Sequence, residues 1–174
     1  MEILIIVCTL IFNIALSLGV GSSTLAVINF FVAIADGTIN PDERRMMGVV
    51  YVVLRIALSL LLVTTLLLSF LNLYEFGVAS YMPSSIATWI LLFALYFNAI
   101  LMTFQLIPSA FGPAIQAGTW YTFGIVATLS SLEIIFSLTQ FIMFYLSFIL
   151  FTIMIINCVM MYLEHTKKKL VPEN

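Results

Sequence analysis

Residues 3 to 35 carry no charged side chain. As one straight helix, residues 2–35 would be about 50 Å long, whereas the hydrocarbon core of a bilayer is about 30 Å thick. Such a segment must tilt, project beyond the lipid, or break. Two glycines, Gly19 and Gly21, are followed in it by Ser22, Ser23 and Thr24, and that cluster is the place where a break would fall. Two readings follow. In one, residues 19–24 interrupt the helix. In the other, Ala15, Gly19 and Ser23 recur at four-residue spacing and form a small-residue face for close helix packing, which requires an unbroken helix.

The remaining runs belong to the same class. Hydrophobic residues make up 63% of the 174 residues and charged residues 8%, against roughly a half and a quarter in ordinary soluble domains. The apolar runs reach 20 residues and lack the alternation of an outer-membrane barrel strand. The fold class read from this is all-α: a polytopic integral membrane helix bundle with about five transmembrane helices, near residues 2–35, 41–72, 85–107, 113–136 and 139–163. Residues 1–164 would form one domain and 165–174 a polar, basic tail. The boundary at 137–140 has neither Gly nor Pro and rests only on the combined run being too long for one crossing. The uncharged linker 109–118 leads into Trp120 and Tyr121 and reads as a short buried loop or a re-entrant turn.

Basic residues set the expected orientation. Arg44 and Arg45 lie between the first two spans, and Lys167, Lys168 and Lys169 lie in the tail. Five crossings put both groups on one side, which the positive-inside rule makes cytoplasmic. The expectation is a multi-pass protein of the inner cell membrane, N-terminus outside and C-terminus cytoplasmic. A true hairpin at 19–24 would instead move the N-terminus inside. Glu2 and the lack of a basic n-region argue against a cleaved signal peptide.

One helix start is well marked. Asn40 is a favoured N-cap, Pro41 suits the first helical position, and Asp42 and Glu43 complement the helix dipole. Residues 36–43 also resemble the second half of an EF-hand loop, with Asp36, Asn40 and Glu43 as candidate ligands. The first-half positions fall on Val32 and Ile34, which offer no side-chain oxygen, so a capped turn is the stronger reading and calcium the weaker one.

Few polar residues interrupt the spans. Arg55 lies nine residues beyond Met46, about 13 Å along a helix, where an arginine costs about 2.5–3.5 kcal/mol on insertion scales. It reads either as a snorkelling or structural anchor, bonded to Asn29, Asn157 or open carbonyls, or as an anion or headgroup contact or gating charge. Glu133 falls within the fourth expected span as its only acid and needs a donor or a proton there. Its depth matches that of Ser22. If the first span is broken, Ser22, Ser23 and Thr24 would begin a half-helix whose free N–H groups Glu133 could cap, an arrangement that builds substrate sites in transporters. Asn13, Asn29, Asn98, Gln140 and Asn157 read as interhelical glue, about one per span.

Other chemistry is not marked. Cys8 and Cys158 sit in apolar runs without metal-ligand spacing, and the sole histidine, His165, lies in the tail. The chain has no catalytic triad pattern and no phosphate loop. No enzyme activity, cofactor or nucleic-acid partner is therefore expected. The function read from the sequence is a small channel or transporter-type subunit for an ion or small solute, acting as an oligomer. Ser22, Ser23, Thr24 and Glu133 would form its site, and Arg55 would set charge selectivity. The alternative is a non-catalytic scaffold or assembly subunit that binds partner helices through Ala15, Gly19 and Ser23 and lipid headgroups through its lysines. Expected partners are membrane lipids and a second copy or another membrane subunit.

Overall fold

The computed structural model describes residues 2–36, 40–77, 83–107 and 111–170. They form five helices: α1 (Glu2–Asp36), α2 (Pro41–Phe76), α3 (Pro83–Thr103), α4 (Phe111–Ser131) and α5 (Leu138–Leu170). Consecutive helices run antiparallel. Trp89 bonds to Ser69 and Tyr96 to Leu58 across α2 and α3, and Asn98 bonds to Gly112 and Gln116 across α3 and α4. The start of α2, with Arg44 and Arg45, and the end of α5 therefore share one end of the bundle, called here the basic end.

α1 is continuous. The cluster at 19–24 does not break it, so the small-residue face is the reading that fits. Ala15, Gly19 and Ser23 are all buried, and the six-membered ring of Trp120 lies directly on Gly19, where a Cβ would overlap it. The absent side chain lets α1 and α4 approach closely. Phe12 meets Phe123 edge-on one layer further along, at 5.9 Å between ring centroids.

Helix ends follow local chemistry. Glu43 accepts the backbone N–H of Asn40 at 2.9 Å, the returning arm of a capping box. α2 stops at Gly77, whose φ of 69° suits glycine. α3 and α4 both end in Schellman motifs built without glycine. Leu106 N–H bonds to Leu101 O and Gln105 N–H to Met102 O. Likewise Ile134 N–H bonds to Leu129 O and Glu133 N–H to Ser130 O. Gln105 and Glu133 occupy the left-handed position, at φ 56° and 57°. α5 opens with a full capping box: Ser137 N–H donates to Gln140 Oε1 at 2.8 Å, and Gln140 N–H to Ser137 Oγ at 3.2 Å. Phe136 and Phe141, 6.4 Å apart, flank it as a hydrophobic staple.

These ends revise four expected boundaries: α2 runs on to Phe76, past the expected end near 72, and α3 stops at Thr103, ahead of the expected end near 107, where its Schellman turn closes it. α4 stops at Ser131, not near residue 136, because the Schellman turn ends it although apolar residues follow. The helix of α5 continues to Leu170, past the expected end near 163.

Four helices, α1, α2, α3 and α5, are long and apolar enough to cross a membrane; α4 is not among them. The reason lies in its place. α4 packs against α1, α3 and α5, and Thr119, Trp120, Thr122 and Phe123 on it are fully buried. Large apolar side chains lie exposed along the other four helices, but on α4 only at Phe111. A helix hidden among others need not be lipid-soluble. Its buried threonines bond back to their own helix, Thr119 to Ile115 O and Thr122 to Gly118 O.

Candidate functional site

α2 and α4 do not pack against each other among the described residues, although α1 and α3 each touch both. A seam therefore runs along the bundle, bounded by α1, α2, α3 and α4, and it widens at both ends. Toward the basic end lies a cavity of about 270 Å³, whose wall includes Ser23 from α1, Leu54, Arg55 and Leu58 from α2, Met102 from α3 and Gln116 from α4. Toward the opposite end lies a second cavity of about 200 Å³, bounded by Phe12, Thr65, Ser69, Thr88, Trp89 and Ser130 of the same four helices. Between them the seam is filled by Ala15, Leu61, Leu92, Leu95, Trp120 and Phe123. Arg55 and Thr65, one on each cavity, are ten residues apart on α2, or about 15 Å along the helix.

The inner cavity, at the basic end, has apolar walls and a few polar groups. The Arg55 side chain is exposed at its wall and makes no hydrogen bond or ion pair among the described residues; the backbone carbonyl of Arg55 accepts from Ser59. Ser23 is 1% exposed, yet its Oγ has no hydrogen-bond partner in the protein. Gln116 is held by Asn98, whose Nδ2 donates to Gln116 Oε1 at 2.7 Å and to Gly112 O at 3.3 Å. Asn98 Oδ1 is buried and unpartnered. In the outer cavity Thr65 Oγ1 is likewise buried with no partner. Each cavity thus carries a buried hydroxyl with unmet hydrogen-bonding capacity, which ordinarily costs stability unless something polar meets it.

The residues singled out from sequence divide sharply. Ser23 and Arg55 share the inner cavity. Ser22 is buried on α1. Thr24 donates to Val20 O and shares a 2.7 Å hydrogen bond with Tyr121 OH, so it links α1 to α4. None of the three lies at a free helix end, since α1 runs through them. Glu133 is not in a span. It is exposed in the turn after α4, far from Ser22. The neighbours of Ser22 meet α4 near Tyr121 and Gly124, and Glu133 is nine residues beyond Gly124, about 13 Å by helical rise. The expected cap of a half-helix by Glu133 is therefore corrected on both sides. Of the calcium-loop candidates, residues 37–39 between Asp36 and Asn40 lie outside the described residues, and the Glu43 carboxylate is engaged as a helix cap.

Gln116, Tyr51, Thr65 and Ser69 were not singled out from sequence. Gln116 fell in what looked like a linker, and an isolated hydroxyl in an apolar run carries no signal about which cavity it faces. Trp89 is half-buried and donates to Ser69 Oγ at 3.2 Å.

The chain matches no protein-family model, no curated protein and no solved structure. Any functional reading therefore rests on this geometry alone. Chemically, the inner cavity can hold an anionic group against a guanidinium with apolar surface beside it, and the outer one can hold water or a neutral polar solute.

Proposed function

We propose that this protein is a membrane transport-type protein that moves a small solute along the seam between α1, α2, α3 and α4. The observation that carries the reading is the pair of cavities at opposite ends of one seam, divided by a plug of packed apolar side chains. A filled core would leave no such pair, and a pathway needs polar access from both faces with a barrier between them. The seam lies inside one chain, so a second copy is not needed to form it. The scaffold alternative is weakened because Trp120 covers Gly19, leaving that face of α1 unavailable to another protein. Five crossings, with the basic end cytoplasmic, remain part of this proposal.

Labelling from the two sides of the membrane tests it. In a background with Cys8→Ala and Cys158→Ser, the variants Ala99→Cys on the inner cavity and Thr88→Cys on the outer one, both partly exposed positions, are reconstituted in oriented vesicles and exposed to a membrane-impermeant thiol reagent. Ala99→Cys should react from the basic side and Thr88→Cys from the other. Reaction of both from one side, or of neither, overturns the reading.

A further inference from the structure

We infer that the inner cavity binds an amphiphilic anion, with a carboxylate or phosphate head on Arg55 and an alkyl portion along the apolar wall. The argument begins with charge. The described helices carry acids only near their ends: Glu2 and Asp36 on α1, Asp42, Glu43 and Glu75 on α2, and Glu164 on α5; α3 and α4 have none. Glu43 is twelve residues from Arg55 on α2, about 18 Å along the helix, and Asp36 is thirteen residues beyond Ser23 on α1, about 20 Å. Neither is placed to neutralise the guanidinium. A guanidinium on the wall of a mostly apolar cavity, part-way along an apolar helix and without a counter-charge, is a binding group for an anion, and its planar fork matches an oxyanion with two bonds at once.

The second observation is Ser23, a residue of the same cavity wall whose buried hydroxyl has no partner in the protein. Gln116, oriented by Asn98, adds an amide to the same wall. These groups can complete the hydrogen bonding of an oxyanion head. Ala26, Leu54, Leu58, Ala99, Met102 and Pro113 give the wall apolar surface for a chain, and Tyr51 and Thr103 add two hydroxyl residues to it. A volume of about 270 Å³ takes a head group and the first few carbons, judged against about 30 Å³ per water molecule. Arg55, Tyr51 and Thr103 on its wall are exposed, so a longer tail can leave on that side. The inference rests on the transport reading for the cavity's role as inner vestibule, but its test measures binding, not flux.

The experiment uses the full chain in nanodiscs of neutral lipid, titrated with oleate, with oleyl alcohol and with acetate, and followed calorimetrically. Oleate should bind saturably at one site per chain, and Arg55→Gln should weaken it at least tenfold. Oleyl alcohol, lacking the charge, should also bind at least tenfold more weakly. Acetate should fail to compete at tenfold excess over oleate; competition at equal concentration would mean a site for small soluble anions and would overturn the amphiphile assignment. Ala99→Trp, which fills the cavity and leaves Arg55 in place, should abolish binding, and it carries the test if Arg55→Gln does not fold. Unchanged oleate affinity in either folded variant overturns the site. If oleate binds as expected while Ala99→Cys and Thr88→Cys label from one side, transport fails and the binding site stands.

Discussion

Replacing Gly19 by alanine adds one methyl group, and the structure assigns that change an unusually large cost. The added Cβ would overlap the six-membered ring of Trp120, closer than real Cβ contacts come. Trp120 is fully buried, so its ring cannot swing aside without moving its neighbours. Overpacking of this kind costs about 1–3 kcal/mol, sometimes more. Helix propensity acts the other way, because alanine is favoured over glycine by about 1 kcal/mol in a helix interior. Because the overlap is with a fully buried ring the upper end applies, and about 3 kcal/mol of overpacking less about 1 kcal/mol of propensity leaves Gly19→Ala less stable by about 2 kcal/mol. In lipid the separated helix faces meet hydrocarbon, so the term measured is packing and not transfer out of water. The assay is reversible unfolding in mixed micelles with Trp120→Phe as the second arm of a double-mutant cycle. Phenylalanine lacks the outer part of the indole, so the cycle should return a coupling of about 1 kcal/mol or more. If Gly19→Ala is as stable as the parent and the coupling is zero, α1 and α4 do not pack as described.

Two smaller tests address the turn joining α4 to α5. Glu133 holds a left-handed conformation that costs a non-glycine residue about 1–2 kcal/mol; Glu133→Gly should stabilise the fold by up to about 1 kcal/mol in the same unfolding assay, and Glu133→Gln should leave any solute flux in liposomes unchanged, since the carboxylate lies on neither cavity. A loss of flux would return Glu133 to the pathway. Ser137→Ala should cost about 1 kcal/mol by removing the N-cap of α5, seen as a lower unfolding midpoint; an unchanged midpoint would mean that α5 does not start there.

Much of the fold was legible because long apolar runs leave a chain few choices. Long uncharged runs demand helices, and the Asn40-Pro41-Asp42-Glu43 start was read from local chemistry alone. The end of α4 was misread because its stop uses Glu133 in place of glycine, with Ile134, Ile135 and Phe136 continuing the apolar run. The start of α5, read near residue 139 from the length of the combined run alone, falls at Leu138; the capping-box spacing of Ser137 and Gln140 also marks it. At the candidate site, Ser23 and Arg55 stood out as polar groups in apolar helices. Gln116 did not, since nothing in sequence tells a polar residue on a buried helix from one in a loop.

The order of residues by itself determined that the chain is helical, where most of its helices lie, and that Arg55 has no acid near it along the helix, because backbone hydrogen bonding and charge spacing are local properties. Only the tertiary structure decided that α1 runs unbroken, that the least apolar helix belongs in the middle, and that Ser23, Arg55 and Gln116 share one cavity. Those outcomes depend on which helix faces touch. That is set by shape, above all by Trp120 lying on Gly19 across about a hundred residues of chain, a separation over which no periodicity carries information.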